Sequence, residues 1–403
     1  MSYSNFDLLV EHEGEGYRVR LLDSPAGQAA ERVPGSPSTQ DLESFLGDLG
    51  RLPAAGRQEA LMALGTELFG ALLPASVDTA FRQSLAATRQ RGAGLRLRLR
   101  LDEVPELAAL PWEALYDPVS GEYLAVSTET PLVRYLALPR GEPPLAVAPP
   151  LNLLVLVASP VDQIPLDVEG EWHTLEQALS ELESGRVHLE RLDKASLPAL
   201  QRRLRQGDYH MLHIVGHGDF DAQRQEGFVL LEGEDRRGLR AGVRELGALL
   251  RDESRSLRLV VLNACKGARA SAGDPFAGLA QGLVQKGVPA VIAMQVAISD
   301  GAAQVFTSAF YSSLASGYPI DAALGEARKA IYLQDGGAEW AVPVLFMRAP
   351  DGQIFQVEEE KTAGEAQEKG AAGGVQISIG GSISSSQIQI GDVAGGDIVK
   401  GNN

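Results

Sequence analysis

Cysteine is nearly absent from this chain of 403 residues: there is one, Cys265. A single thiol excludes an intramolecular disulfide framework and fits a reducing, cytoplasmic compartment. Long hydrophobic runs are missing as well. No stretch of about 18 or more apolar residues occurs, so no membrane span is expected; the longest candidate, LNLLVLVA, has the length of a buried strand. The amino terminus, MSYSNFDLLVEHEGEG, has neither a basic n-region nor an apolar h-region, and no signal peptide is expected. Excess positive charge is lacking too. The net charge of -17 argues against nucleic acid as a partner, because phosphate recognition needs a basic footprint. No cofactor is implied, nor a metal: His210, His213 and His217 are divided between the two faces of a strand, with no carboxylates to complete a ligand set.

What is present is a soluble globular composition, 44% hydrophobic and 22% charged, on a chain long enough for two or three domains. Residues 1–140 read as an α+β module. FDLLV and GYRVRLL form a hairpin around EHEGEG, and helical spacing runs through 39–50 and 57–90. Over 95–101 arginine alternates with leucine, the pattern of a strand with one basic face, either solvated or serving as a charge-selective docking face. Residues 139–150 hold five prolines and read as a linker. From 151 to 356 the pattern alternates between strand and helix. The apolar strands are LNLLVLVAS, RVHLERL, YHMLHIVG, LRLVVLNA, VPAVIAM and WAVPVLFM. Between the fourth and fifth, DPFAGLAQGLVQKG predicts a helix with Asp274 as cap, Pro275 in the first turn and Gly287 as stop, burying Phe276, Leu279, Ala280, Leu283 and Val284. The fold class expected is α/β: a doubly wound, six-stranded, mainly parallel sheet with helices on both faces, preceded by the smaller module. Residues 357–374 read as a flexible linker, and 375–403 as a β-prone tail in which isoleucine alternates with serine and glutamine.

Two strands deliver a reactive residue at their carboxyl ends. LRLVVLNACKGA ends on Cys265, and HMLHIVGHGDF ends on His217. In an open parallel sheet that edge is where ligands bind. The two residues are 48 apart, room for one crossover between adjacent parallel strands. A nucleophilic cysteine needs a proton acceptor and donors aimed at a developing oxyanion. Gly218, directly after His217, lacks a Cβ and leaves its N–H open to a substrate carbonyl. The alternative is a buried, inert thiol and a structural histidine.

HIVGHGD and VVLNACKGA resemble the paired His-Gly and Ala-Cys signatures of the CHAT domain, a relative of caspases and separases among cysteine peptidases. The likeness extends to ALPWEALYDP, TPLVRYLALPR, GDPFAGLAQGLVQKGVPAVIAMQ and EWAVPVLFMR, covering about residues 5–356. The resemblance implies a caspase-like fold and a cysteine endopeptidase, with His217 and Cys265 as the dyad and Gly218 and the Cys265 main-chain N–H as oxyanion donors. His213 then reads as a packed core histidine, and His210 as pointing the other way. For the specificity pocket, the resemblance points to Asp162 after the first strand, Asp300 after the fifth and Asn263 two before the cysteine. Arginine- and lysine-selective relatives carry Asp at that last position. Asp219 either orients the histidine or caps a loop. A protein or peptide is the implied substrate.

Two other classes stand beside the endopeptidase: a catalytically silent caspase-like scaffold, and a thiol acyltransferase on the same rim. GDVAGGDIVKG in the tail resembles short homotypic motifs at the ends of bacterial immunity and signalling proteins. Alternating strands of this kind pair with copies of themselves or with a partner's strand, so residues 375–403 are expected to drive homo-oligomerisation or partner recruitment in a regulated defence or signalling pathway. The other reading of the tail is a disordered terminus.

Overall fold

The computed structural model describes residues 1–35, 45, 54–138, 143–180, 185–221, 223, 226–251, 255–264, 275–335 and 337–358. The predicted helix at 39–50 (except Phe45), Asp274, Cys265 and nearly all of the linker and tail over 357–403 lie outside these residues.

All six predicted apolar strands form. They are β9 (Leu151–Val157), β10 (Val187–Arg191), β11 (Met211–Gly216), β15 (Leu259–Ala264), β16 (Ala290–Met294) and β17 (Pro343–Met347). They line up in the order β10-β9-β11-β15-β16-β17, parallel except that β17 runs against β16. The apolar runs are continuous because both faces are covered. Leu153, Val155, Met211, Val215, Leu259, Val261 and Ile292 point into one core. Leu154, Leu156, Leu212, Ile214, Val260, Leu262 and Val291 point into the other. The helices Val168–Ser180, Asp300–Ala315 and Ile320–Asp335 cover the first face; Leu197–Leu204, Val243–Arg251 and Pro275–Lys286 cover the second. Each such leucine, valine or isoleucine contributes about 1.5–3 kcal/mol by leaving water. The helix Pro275–Lys286 buries Phe276, Leu279, Ala280, Leu283 and Val284, as its spacing predicts. It stops at Gly287, whose φ of 126° suits a residue without a side chain.

The amino-terminal module continues this sheet. Next to β17 come β7 (Leu132–Tyr135), β4 (Gly94–Arg100), β1 (Tyr3–Glu13), β2 (Gly16–Asp23) and β3 (Ala29–Val33), making eleven strands in all. β1 and β2 form the predicted hairpin. The helical stretch at 57–90 is two helices, Ala54–Leu72 and Ala75–Gln90, broken at Pro74. A small hairpin, β5 (Tyr116–Asp117) with β6 (Glu122–Tyr123), packs between the modules through Tyr123, whose ring lies 4.8 Å from that of Trp340.

Two expectations are corrected. The arginine face of β4 is not solvated: Arg96 is 1% exposed and Arg98 8%. β4 lies inside the sheet between β7 and β1, so both of its faces are covered. The charges are retained because each is paired. Arg96 grips the Asp321 carboxylate with two nitrogens, and Arg98 grips that of Asp7. The rings of Tyr3 and Tyr135 stack on the guanidiniums at 4.7 and 4.1 Å. The proline-rich linker is also partly ordered. Leu145–Val147 forms β8, which pairs in parallel with β18 (Phe355–Val357).

A further element was not anticipated. The stretch after His217 is an antiparallel meander of β12 (Gly218–Asp221), β13 (Glu226–Glu232) and β14 (Gly238–Gly242). Its strand β13 packs on the helix Pro275–Lys286, with Val229 and Leu231 in the second core.

Candidate active site

β11 and β15 are adjacent and parallel, and their pairing runs through Val215↔Asn263 to Gly216↔Ala264. His217 and Cys265 are the residues that follow in each strand. The sheet therefore brings the histidine strand and the cysteine strand side by side, as expected; Cys265 itself is outside the described residues.

His217 is 4% exposed. Its backbone carbonyl accepts from Leu230 N–H of β13 at 2.8 Å. Its ring Nε2 lies 2.8 Å from the carbonyl oxygen of Ile164, in the loop that follows β9. A carbonyl only accepts, so the ring proton of the neutral imidazole sits on Nε2 and Nδ1 keeps its lone pair. The ring is thus held in one tautomer, with Nδ1 as its hydrogen-bond acceptor. Sequence reading missed Ile164. Its contribution is a main-chain oxygen, which no residue type announces.

Gly218 has a packing reason to be glycine. A Cβ there would stand 2.5 Å from the Phe276 ring edge, so the aromatic ring occupies the space a side chain would need.

The other predicted site residues are placed as follows. Asp162 sits in the same loop as Ile164. Its carboxylate accepts from Gly238 N–H at 2.7 Å and lies 3.6 Å from Arg237 Nε. The Gly238 hydrogen bond, reinforced by Arg237, holds its acidity above that of an ordinary aspartate. Asn263, 9% exposed, faces the first core beneath the rim, and its side-chain oxygen has no partner. Asp300 is exposed in the first turn of the helix Asp300–Ala315, behind the N-cap Ser299. Asp219 accepts from the N–H of Phe220 at 2.8 Å, a local cap.

His213 is a core residue, as its position in the strand suggests. Its Nδ1 lies 3.0 Å from the Tyr311 hydroxyl, its Nε2 has no partner, and burial lowers its pKa to about 4. His210 precedes the strand and does not point to the opposite face. Its Nδ1 accepts from Asn152 N–H at 2.9 Å and its ring packs edge-on against Phe355, a residue of the first core. The alternation that separates the two faces starts only at Met211. Among the described residues, no group of three or more His, Cys, Asp or Glu side chains could hold a metal ion. No single helix there is long and apolar enough to cross a membrane.

The CHAT domain family model matches residues 62–359. The chain belongs to the CHAT domain family. Six mainly parallel strands with helices on both faces, continued to eleven by the amino-terminal module, make the doubly wound α/β sheet that the strand pattern implied. Among solved structures, a chain of the separase–securin complex of Saccharomyces cerevisiae is similar over 85% of this chain, at 11% identity and a TM-score of 0.47. The match spans 30% of that longer chain. No curated protein matches the chain.

Proposed function

We propose that this CHAT protein is a cysteine endopeptidase in which His217 and Cys265 form the catalytic dyad. The observation that carries the reading is the 2.8 Å contact between His217 Nε2 and the Ile164 carbonyl, at the end of the strand adjacent to the one that Cys265 follows. It leaves Nδ1 as the acceptor for the thiol proton. The Cys265 sulfur bonds to the scissile carbonyl carbon as its proton moves to Nδ1. Main-chain N–H groups of Gly218 and Cys265 receive the charge that develops on the carbonyl oxygen. Collapse breaks the C–N bond, and the proton passes from His217 to the leaving amine. Water, giving one proton back through His217, then cleaves the thioester to a carboxylic acid and regenerates the thiol. Asn263, which stands where basic-selective relatives carry Asp, argues against a strong preference for a basic residue before the scissile bond. The tail at 375–403 clusters the catalytic domains in the cytoplasm, and clustering regulates them in a defence or signalling pathway.

The test is a peptide-library digestion read by mass spectrometry. It compares the full chain, Cys265→Ala, His217→Ala and a chain lacking residues 361–403. Cleavage is expected from the full chain alone at full rate, with either point variant lower by about 10²-fold or more. The truncated chain is expected to turn over more slowly and to scatter light as a smaller particle. Absence of cleavage by the full chain in any assembly state would replace the peptidase with a scaffold, and cleavage that survives Cys265→Ala would overturn the dyad.

A further inference from the structure

The loop between β9 and the helix Val168–Ser180 does two things at once. It presents the Ile164 carbonyl to His217, and it is fastened to the turn between β13 and β14. Ser159 N–H reaches Glu232 Oε1 at 3.4 Å, at the end of β13. Val161 N–H donates to the Arg236 carbonyl at 3.0 Å, and Gly238 N–H donates to Asp162 Oδ1 at 2.7 Å. These last two bonds run in opposite directions between the same two segments, so they hold the loop like the rungs of a short ladder. Arg237 adds an ion pair at 3.6 Å. Arg236 adopts a φ of 62°, which turns its carbonyl toward Val161; the chain accepts a strained residue where that bond is made. Within the loop, Leu166 N–H closes onto Ser159 Oγ at 3.0 Å, which bounds the segment carrying Ile164.

The chemistry of Asp162 fits this fastening better than a substrate pocket. One carboxylate oxygen is engaged by a backbone N–H, and the other faces a guanidinium. A carboxylate with these partners is already neutralised, and a basic substrate side chain would have to displace both. The Ile164 carbonyl, by contrast, has no covalent reason to stay 2.8 Å from His217: Ile164 itself is half exposed. The fastening of the loop on either side holds the oxygen there.

We propose that Asp162 is a positioning residue: it latches the Ile164 loop to the β13–β14 turn and so holds the His217 imidazole in its Nε2–H tautomer. The proposal rests on the reading of His217 as the proton acceptor, but the latch itself is observable without catalysis. The turn at 233–237 becomes part of the site although it touches no reacting atom. It is rich in charge, with Glu234, Asp235, Arg236 and Arg237, and a change in its conformation would reach the imidazole through two hydrogen bonds.

The experiment uses the full chain labelled with ¹⁵N-histidine, in which long-range ¹H–¹⁵N correlations distinguish Nε2–H from Nδ1–H. The chain has six histidines, and His217 is assigned by its loss in His217→Gln. The wild type is expected to show the Nε2–H tautomer. Asp162→Asn, whose amide oxygen still accepts from Gly238, is expected to keep it. Asp162→Ala is expected to show a mixture of tautomers, and to lower kcat about tenfold or more at constant KM. An Asp162→Ala spectrum in which His217 stays wholly Nε2–H would overturn the latch. So would a kinetic effect confined to KM for peptides with a basic residue before the scissile bond, which is the signature of a pocket. A tautomer change in Asp162→Ala alongside a wild type that cleaves nothing would uphold the latch and count against the peptidase reading instead.

Discussion

Two strands of the same sheet carry buried polar side chains, and they treat them in different ways. On β4, Arg96 and Arg98 are buried, and each meets a carboxylate and an aromatic face. On β11 His213, and just beyond its end His217, are buried too; His213 Nε2 has no partner, and His217 Nε2 lies against the Ile164 carbonyl. Burying a polar group costs free energy unless its bonding capacity is filled, so interiors fill it. The Arg96 and Arg98 pairs of β4 obey that rule and read as architecture, Arg96 tying the amino-terminal module to the helix Ile320–Asp335. β11 departs from it at His213, whose Nε2 is buried without a partner.

The largest effect should come from breaking a satisfied pair on β4. Asp321→Ala leaves Arg96 buried without its counter-ion, and the expected loss is about 3–5 kcal/mol of unfolding free energy. Chemical denaturation of the variant against wild type measures it. Replacing both partners by apolar residues (Arg96→Met with Asp321→Leu) should recover most of the loss, because the cost lies in the orphaned charge. If the single variant costs less than about 1 kcal/mol, the pair behaves like a surface ion pair and the contrast between the strands fails.

β11 is sharpened by pH. Burial holds the His213 pKa at about 4, against 6.5 for the unfolded chain. The folded imidazole thus resists a proton that the unfolded one accepts. Its contribution to stability is intact above pH 6.5, declines as pH falls below that value, and is fully lost once pH has passed through 4. The difference corresponds to about 3 kcal/mol. Denaturant midpoints measured from pH 7 to pH 4 should fall more steeply for the wild type than for His213→Phe, which cannot titrate. Parallel curves would mean that His213 takes a proton in the folded state as easily as in the unfolded one.

How much of this was legible in the sequence follows from the range of each interaction. The six strands were, because an apolar run between helical stretches is a local signal, and so was the pairing of the His217 and Cys265 strands through the crossover rule. The burial of Arg96 and Arg98 was not. Alternation identifies a strand, but the carboxylates of Asp7 and Asp321 that cover the second face lie 91 and 225 residues away. Asp162 was legible only as an acidic residue after a strand; its partner Gly238 is 76 residues on. The meander escaped because its strands are short, with Gly227, Gly233, Gly238 and Gly242 set among charges, a composition that reads as loop. The Ile164 carbonyl had no signature at all.

Gly218 lies on the boundary between the two behaviours, and the smallest of the expected effects decides which side it belongs to. The motif reading makes it glycine so that a substrate carbonyl approaches its N–H; the packing makes it glycine because the Phe276 ring stands 2.5 Å from where a Cβ would be. Gly218→Ala forces the ring or the strand to move, at an expected cost of about 1–3 kcal/mol. Trimming the ring in Gly218→Ala with Phe276→Leu removes the clash and should restore the denaturation midpoint to that of Phe276→Leu alone. Peptide cleavage then separates the roles. If packing is the whole reason, the double variant cleaves as fast as Phe276→Leu, since alanine also carries an N–H. If the bare backbone is needed by substrate, stability returns while kcat/KM stays low, because the added methyl group still stands over the donor.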